Sequence, residues 1–414
     1  MLLQMIGFLV VALLLAQLFA TAYRKVSEAQ AINQIAIVET SYLRRLTEEA
    51  EMRTRVQRER IDSAWHGWRK FRVLSIADET DAVKSFYLVP HDKKPLPPFL
   101  PGQYLTLQVR PPDQMKPLIR CYSLSCSPSQ DFYRISVKQE GAGPGAPERP
   151  PGLVSTFLHE KVNEGDFIDV KSPGGAFYLD LSRHTPVVLI AGGIGITPIF
   201  SMLDSIVAQG SKREVWFFLG VRSRGDHPMY GPLIDYAKRV ENLRLVVCYS
   251  DPSPSCRQGI DYHHHGVVSV SLMRDMLNAN NYDFYFCGPP GMMEALHSGL
   301  RDWGVPNDRL HYEAFGPATV NSLVKNDDPK DFKISFIRSK KDISWSNNSG
   351  SILDVAEANG IRVDSGCRSG NCGACAIAIK SGAIDYLNVP GQPPEEGTCL
   401  ICSAVPTSNL ELDA

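Results

Sequence analysis

Residues 367–375 read CRSGNCGAC, which sets Cys367, Cys372 and Cys375 in a C-x4-C-x2-C array. That spacing suits a [2Fe–2S] cluster, which four thiolates hold. The fourth thiolate must come from elsewhere in the chain, and TCLICSAVP offers Cys399 and Cys402. Gly366, Gly370 and Gly373 fit a loop wrapped tightly round an inorganic core, since glycine takes unusual dihedrals at little cost. Zinc prefers close ligand pairs or mixed Cys/His sets, yet no histidine follows His311. A disulfide needs an oxidising compartment. The remaining cysteines are scattered without a pairing pattern, which favours a reducing one. The cluster reading is preferred.

At 414 residues the chain exceeds one hydrophobic core and calls for several domains. Its net charge of −2 gives no broad basic surface, so nucleic acid is not expected as a partner. Residues 1–23 carry no charged side chain, and IGFLVVALLLAQLFA within them is strongly apolar. About 20 such residues span a bilayer as a helix. A signal peptide would place its positive charges before the apolar run, whereas here Arg24, Lys25, Arg44 and Arg45 follow it. The expectation is an uncleaved single-pass transmembrane anchor at 1–23 in the cell inner (cytoplasmic) membrane, with the catalytic domains cytoplasmic. Residues 24–62 mix Glu and Arg without Pro or Gly. Ile32, Ala36, Leu43, Leu46 and Ala50 form one narrow apolar stripe, so a helical stalk is expected.

From residue 63 the period changes. KFRVLSI, SFYLVP, QYLTLQV, FYRISVKQE and DFIDVKS alternate and are separated by turn residues, which predicts a small antiparallel β-barrel over 63–183. It contains Arg120-Cys121-Tyr122-Ser123. An arginine there can pair with a diphosphate, a tyrosine can stack on a flavin, and a serine can bond its ring edge. Gly152-Leu153-Val154-Ser155-Thr156 precedes a helix start, where backbone amides can hold a phosphate.

Residues 184–318 read as strand–helix units of an α/β parallel-sheet domain. PVVLIA is a continuous apolar run, as a strand buried on both faces requires. It enters GGIGITP, with Gly193, Gly195, Thr197 and Pro198, and then a helix. Such a turn lets a dinucleotide diphosphate approach the helix N-terminus. A second unit, YDFYFCGPPGMMEAL, carries Cys287, Gly288 and Pro289. Arg222 and Arg224 could face a 2′-phosphate, but Asp251 after the next strand would repel one. NADH is therefore expected over NADPH. His263-His264-His265 lies in a Gly/Asp turn and is expected to be a solvated loop. A polar linker over 319–329 leads to the last domain, 330–414.

Two resemblances complete the reading. Residues 330–414 closely resemble plant-type ferredoxin domains, an α+β β-grasp fold. In that family the last ligand precedes a small-residue stretch ending in proline. The resemblance therefore implies Cys402, before Ser403-Ala404-Val405-Pro406, as the fourth ligand with Cys367, Cys372 and Cys375. Cys399 is left as a buried thiol. Trp65 to Phe71, Pro101 to Tyr104, Arg120 to Ser123, Tyr133 to Lys138 and Leu158 to Asp166 resemble, in order, the reductase half of flavohaemoglobins. That half belongs to the ferredoxin–NADP reductase family. The resemblance implies FAD, in preference to FMN, with Tyr104, Arg120, Tyr122, Ser123, Gly152, Val154 and Ser155 as contacts. The insert GAGPGAPERPP at 141–151 departs from the pattern beside the phosphate turn. The resemblance also puts Cys287 where nicotinamide meets flavin. In HYEAFGP it has Phe315 cover the flavin ring and Glu313 place the nicotinamide or a proton. Arg222, Gly288 and Pro289 join the nicotinamide contacts.

The implied activity is electron supply from NAD(P)H through FAD and a [2Fe–2S] cluster to a redox partner protein, an oxygenase, hydroxylase or desaturase at the membrane. The alternative is a membrane-tethered redox sensor or relay subunit of a respiratory assembly. No globin and no oxygen-activating metal site is visible in the sequence.

Overall fold

The computed structural model describes all residues except 1, 113, 142–150, 316–330, 348, 371, 388–389 and 391–393. The linker at 319–329 and nearly all of the 141–151 insert lie outside the described residues. The chain divides into two compact units, Met1–Glu59 and Arg60–Ala414.

The first unit is helical. Helix α1 runs Leu2–Ser63 as one uninterrupted 62-residue element. The apolar opening turns pass without a break into the Glu/Arg-rich ones, so anchor and stalk are not separate elements, and the helix taken whole is not apolar. Among the described residues, no helix is long and apolar enough to cross a membrane. This corrects the expected transmembrane anchor at 1–23 and the single-pass inner-membrane location.

Among the described residues the second unit holds three large sheets and a two-stranded one. The first is antiparallel and built from β1 (Arg69–Thr80), β2 (Val83–Pro90), β3 (Tyr104–Val109), β4 (Leu118–Ser123), β5 (Tyr133–Lys138) and β6 (Phe167–Val170). Their order is β4-β3-β6-β1-β2-β5. A bridge between Leu124 and Ile135 joins the ends of β4 and β5, which closes the barrel. Alternating residues such as Phe71, Val73, Leu105, Leu107 and Ile135 fill its interior. Helix α2 (Leu153–Lys161) packs Val154 and Leu158 onto it.

The second sheet is parallel throughout, in the order β10-β9-β8-β7-β11-β12. Its strands are β7 (Val187–Gly192), β8 (Val215–Val221), β9 (Leu243–Tyr249), β10 (His264–His265), β11 (Asp283–Cys287) and β12 (Leu310–Glu313). Every residue of β7 and of β11 is buried, as covering helices on both faces require. Those include α3 (Ile196–Ala208), α4 (Tyr230–Arg239), α5 (Val270–Met276) and α6 (Pro290–Asp302). Within the histidine triplet His264 and His265 form a short edge strand rather than a loop, while His263 and His265 are exposed as expected. His264 and His265 pair with Cys248 and Tyr249, and His263 Nδ1 accepts from the Val247 N–H at 2.9 Å.

The third sheet, β14-β13-β19-β15-β17, comprises β13 (Asp331–Phe336), β14 (Lys341–Ser346), β15 (Ala376–Ser381), β17 (Thr398–Leu400) and β19 (Leu410–Leu412). It is mixed, with β13 parallel to β19 and antiparallel to β14. A two-stranded ribbon of β16 (Ile384–Tyr386) and β18 (Ala404–Pro406) lies beside it. Helix α7 (Ile352–Ala358) shares the core through Ile352, Leu353 and Ala356. Its N-terminus is a capping box in which Ser351 and Asp354 bond each other's backbone N–H, a local signal that fixes where the helix begins.

Candidate functional site

Strand β4 presents the residues expected at a flavin. Tyr104 at the head of β3 stands opposite Ser123 at the end of β4, and Tyr104 is buried. The Arg120 guanidinium donates from Nη1 to its neighbour's carbonyl, Ile119 O (2.8 Å), and to Gly366 O (2.9 Å). Both bonds use one nitrogen of the five-donor fork, so Nε and Nη2 can face an anion. At α2, Gly152 caps the helix with extended dihedrals and no side-chain bond. Ser155 Oγ donates to Gly152 O (3.1 Å) and accepts from the Glu140 N–H (3.2 Å), folding the turn onto the end of β5. Thr156 Oγ1 is buried and has no hydrogen-bond partner. An arginine fork, first-turn amides and an orphaned hydroxyl form a donor set that fits a phosphate-bearing flavin. Val154 points into the barrel core and supports the turn from behind.

The ring site lies between β4 and the end of β12. Ser123 Oγ donates to Glu313 Oε2 at 3.3 Å. Burial raises the Glu313 carboxyl to about 8, against the lowering effect of the Ser123 bond. Cys287, fully buried on β11, stands opposite Glu313 in the parallel register. Burial first, and then the Glu313 charge, push its thiol well above the ordinary value. Tyr104, Arg120, Ser123, Glu313, Phe315 and Cys367 line a pocket of about 100 Å³. This is smaller than a flavin ring system, and Phe315, 39% exposed, is the outermost wall.

The dinucleotide cleft is larger, about 690 Å³. Gly193, Arg222 and Pro289 line it. Gly195, Thr197, Pro198 and Gly288 stand behind its wall and shape it. A Cβ on Gly195 would lie 2.2 Å from Cys287 O, and one on Gly288 would lie 3.2 Å from Gly192 Cα. The ends of β7 and β11 therefore need glycine to approach each other. Thr197 is buried at the start of α3 and its hydroxyl donates to Ile194 O (3.0 Å). Arg222 pairs with Asp251 at 3.4 Å, so its charge is already opposed. Thr80 and Lys138 of the barrel also line the cleft. Sequence reasoning missed both, because the strands that carry them lie far along the chain from the glycine turn.

The four thiols of Cys367, Cys372, Cys375 and Cys402 gather in the third domain. The Cys367 N–H donates to Cys372 Sγ (3.2 Å), the Cys372 N–H to Cys367 Sγ (3.3 Å), and the Gly370 N–H to Cys402 Sγ (3.2 Å). Cys375 bonds the Cys402 thiol. Cys399 faces the apolar core from β17, and burial raises its thiol to about 12. Among the described residues no group of three or more His, Cys, Asp or Glu is set to hold a single metal ion. A [2Fe–2S] cluster asks for something else: four thiolates spread round two irons and their bridging sulfides. Four converging thiols, backbone N–H groups aimed at sulfur, and a Gly366 whose Cβ would meet Cys372 Sγ at 2.5 Å fit that group. A fifth thiol, Cys121 of β4, reaches the cluster loop and bonds Cys367. The Cys367 thiol is held well below its ordinary value, first by Cys121 and then by Cys372 and Cys402.

Three regions match known domain families: the oxidoreductase FAD-binding domain at residues 72–178, the oxidoreductase NAD-binding domain at 189–298, and the 2Fe-2S iron-sulfur cluster binding domain at 337–407. The flavohemoprotein of Halalkalibacterium halodurans is 39% identical over 263 residues, 63% of this chain and 63% of its own length. The flavohemoprotein of Rhizobium meliloti is 38% identical over 289 residues, 70% of this chain and 68% of its own. The chain thus spans about two thirds of these curated relatives. Phthalate dioxygenase reductase, described as a modular structure for electron transfer from pyridine nucleotides to [2Fe-2S], superposes with a TM-score of 0.51 at 26% identity. That match covers 84% of this chain and 98% of the other. The FAD-binding, NAD-binding and [2Fe–2S] domains establish FAD, NADH and a [2Fe–2S] cluster as the cofactors.

Proposed function

Because the chain belongs to the ferredoxin–NADP reductase family, as an NAD(P)H–FAD–[2Fe–2S] electron-transfer reductase, we propose that its acceptor is a separate terminal oxygenase, hydroxylase or desaturase, supplied with single electrons through the cluster. The match to phthalate dioxygenase reductase, described as carrying electrons from pyridine nucleotides to [2Fe-2S], covers 84% of this chain and 98% of the other, which supports this reading. The observation that carries it is the direct contact between the flavin strand and the cluster loop, where Arg120 Nη1 donates to Gly366 O at 2.9 Å.

A flavin takes a hydride from a nicotinamide and passes electrons on singly, and an iron–sulfur cluster carries one at a time. The chain's own residues do the rest. Arg120 and the first turn of α2 hold phosphate, and Ser123 and Tyr104 frame the ring edge. Gly195 and Gly288 let the nicotinamide end of the cleft reach Cys287. Glu313, with its carboxyl at about 8, holds a proton at neutral pH and exchanges it through Ser123 Oγ. Asp251 opposes Arg222 and so favours NADH over NADPH. Cys367, Cys372, Cys375 and Cys402 hold the cluster.

The test is a pair of variants. Cys402→Ser loses the visible iron–sulfur absorbance and NADH-driven reduction of a protein acceptor, yet keeps ferricyanide reduction at the flavin. Cys399→Ser keeps all three. Equal acceptor reduction by both variants would remove the cluster from the path.

A further inference from the structure

The cluster loop rests on one strand of the flavin barrel through three neighbouring contacts. Lys116 Nζ, just before β4, lies 3.2 Å from Asp364 Oδ1. Arg120 Nη1 donates to Gly366 O at 2.9 Å, and a Cβ on Gly366 would sit 3.5 Å from Ile119 Cβ. Between Arg120 and Tyr122, Cys121 turns its thiol to the Cys367 sulfur, and both line the same pocket. Thr106 on the partner strand contacts Cys121 Sγ at 3.4 Å and fixes where that thiol can point. Each of Lys116, Arg120 and Cys121 meets the segment 364–367, so the contact is a docked face rather than a single touch.

A donor hydrogen bond to a cluster-ligating sulfur favours the reduced, more negative state, and such bonds are among the factors that set iron–sulfur potentials. Of the thiols near the loop, Cys121 is the one supplied by another domain. We propose that Cys121 is a positioning residue for electron transfer: its S–H donates to Cys367 Sγ across the domain interface and raises the reduction potential of the cluster while the [2Fe–2S] domain is docked on β4. The transfer it assists adds one electron to the cluster. The proton stays on Cys121 and no bond to iron is made by it. The strand that holds the flavin thereby also makes the cluster a better acceptor of flavin electrons.

This rests on the function proposed above, and the experiment separates the two. The midpoint potential of the cluster is measured in the full-length holoprotein by a redox titration followed by electron paramagnetic resonance. Cys121→Ala shifts it downward, by about 59 mV if the electron's equilibrium between flavin and cluster changes about tenfold. Cys121→Ser, which keeps a donor, recovers part of the shift. Iron content and visible absorbance stay at the wild-type level in both. A Cys121→Ala protein with full cluster and the wild-type potential overturns the inference and leaves the proposed function standing. Loss of iron in Cys121→Ala also overturns it, because Cys121 would then be a ligand. Absence of any reducible iron–sulfur signal in the wild-type protein overturns the proposed function and this inference together.

Discussion

The turn at the head of α3 and the loop that carries Cys367 are both rich in glycine, and Gly195 in the one and Gly373 in the other are there for opposite reasons. At Gly195 the issue is space. Gly195 has an ordinary helical φ of −60°, but a Cβ there would stand 2.2 Å from the Cys287 carbonyl oxygen, a backbone atom that cannot swing away. At Gly373 the issue is dihedral angle. Gly373 sits at φ +75° with nothing within 4 Å of where its Cβ would be, and Arg368 in the same loop already takes φ +57°. The dinucleotide cleft is therefore shaped by packing β7 against β11. The cluster loop is held by backbone N–H groups that close on the thiols of Cys367, Cys372 and Cys402.

That contrast is broken most severely at Gly195. Gly195→Ala forces the α3 turn off the end of β11, and overpacking of this kind costs about 1–3 kcal/mol. The nicotinamide cleft loses its shape, so NADH-dependent reduction of ferricyanide falls at least tenfold while iron–sulfur absorbance per chain is kept. Wild-type NADH activity in this variant would mean the strand ends are not locked as described.

A smaller effect on activity is expected at Glu313, which stands opposite Cys287 in the parallel sheet and accepts from Ser123 of β4. Its carboxyl titrates at about 8 in the fold and near 4.3 in an unfolded chain. Between those values the unfolded chain ionises while the folded protein keeps its proton, so Glu313 lowers stability as pH rises through that window. Glu313→Gln removes the effect. It is more stable than wild type at pH 8, by an amount on the order of a few kcal/mol at 1.36 kcal/mol per unit, and no more stable at pH 4. Thermal melts at the two pH values check this, and an advantage that did not change with pH would refute it. Flavin reduction by NADH is expected to change with pH near 8 in wild type and to lose that dependence in the variant.

The sequence carries whatever is local. The C-x4-C-x2-C spacing, the glycine turn between β7 and α3, and the alternation of the barrel strands are each written within a few residues, and the domains follow from them. Thr197 and Pro198 were legible as part of that turn, but not as buried supports behind the cleft, because burial depends on β11 crossing in front. The contact of Arg120 with Gly366 joins residues 246 apart, and that of Cys121 with Cys367 spans the same gap, so no window of sequence contains either one. Lys138 and Thr80 entered the cleft for the same reason. The anchor failed in the other direction. Among the described residues no helix is long and apolar enough to cross a membrane, and the apolar run is continuous with a helix that runs on to Ser63.

The smallest effect sharpens the comparison most. Gly373→Ala meets no atom, so its only cost is the left-handed dihedral, about 1–2 kcal/mol for a residue with a Cβ. That lowers the melting temperature of the [2Fe–2S] domain by a few degrees and leaves NADH–ferricyanide activity at the wild-type level, since neither β7 nor β11 is touched. Iron–sulfur absorbance per chain stays close to wild type, because the four thiols keep their positions and the loop already accommodates Arg368 in the same region of dihedral space. Set beside Gly195→Ala, the same added methyl group then gives two outcomes, a lost cleft in one place and a slightly softer loop in the other. Loss of the cluster in Gly373→Ala would show that the loop, like the turn, depends on close approach, and that the room beside Gly373 is taken up when iron and sulfide are bound.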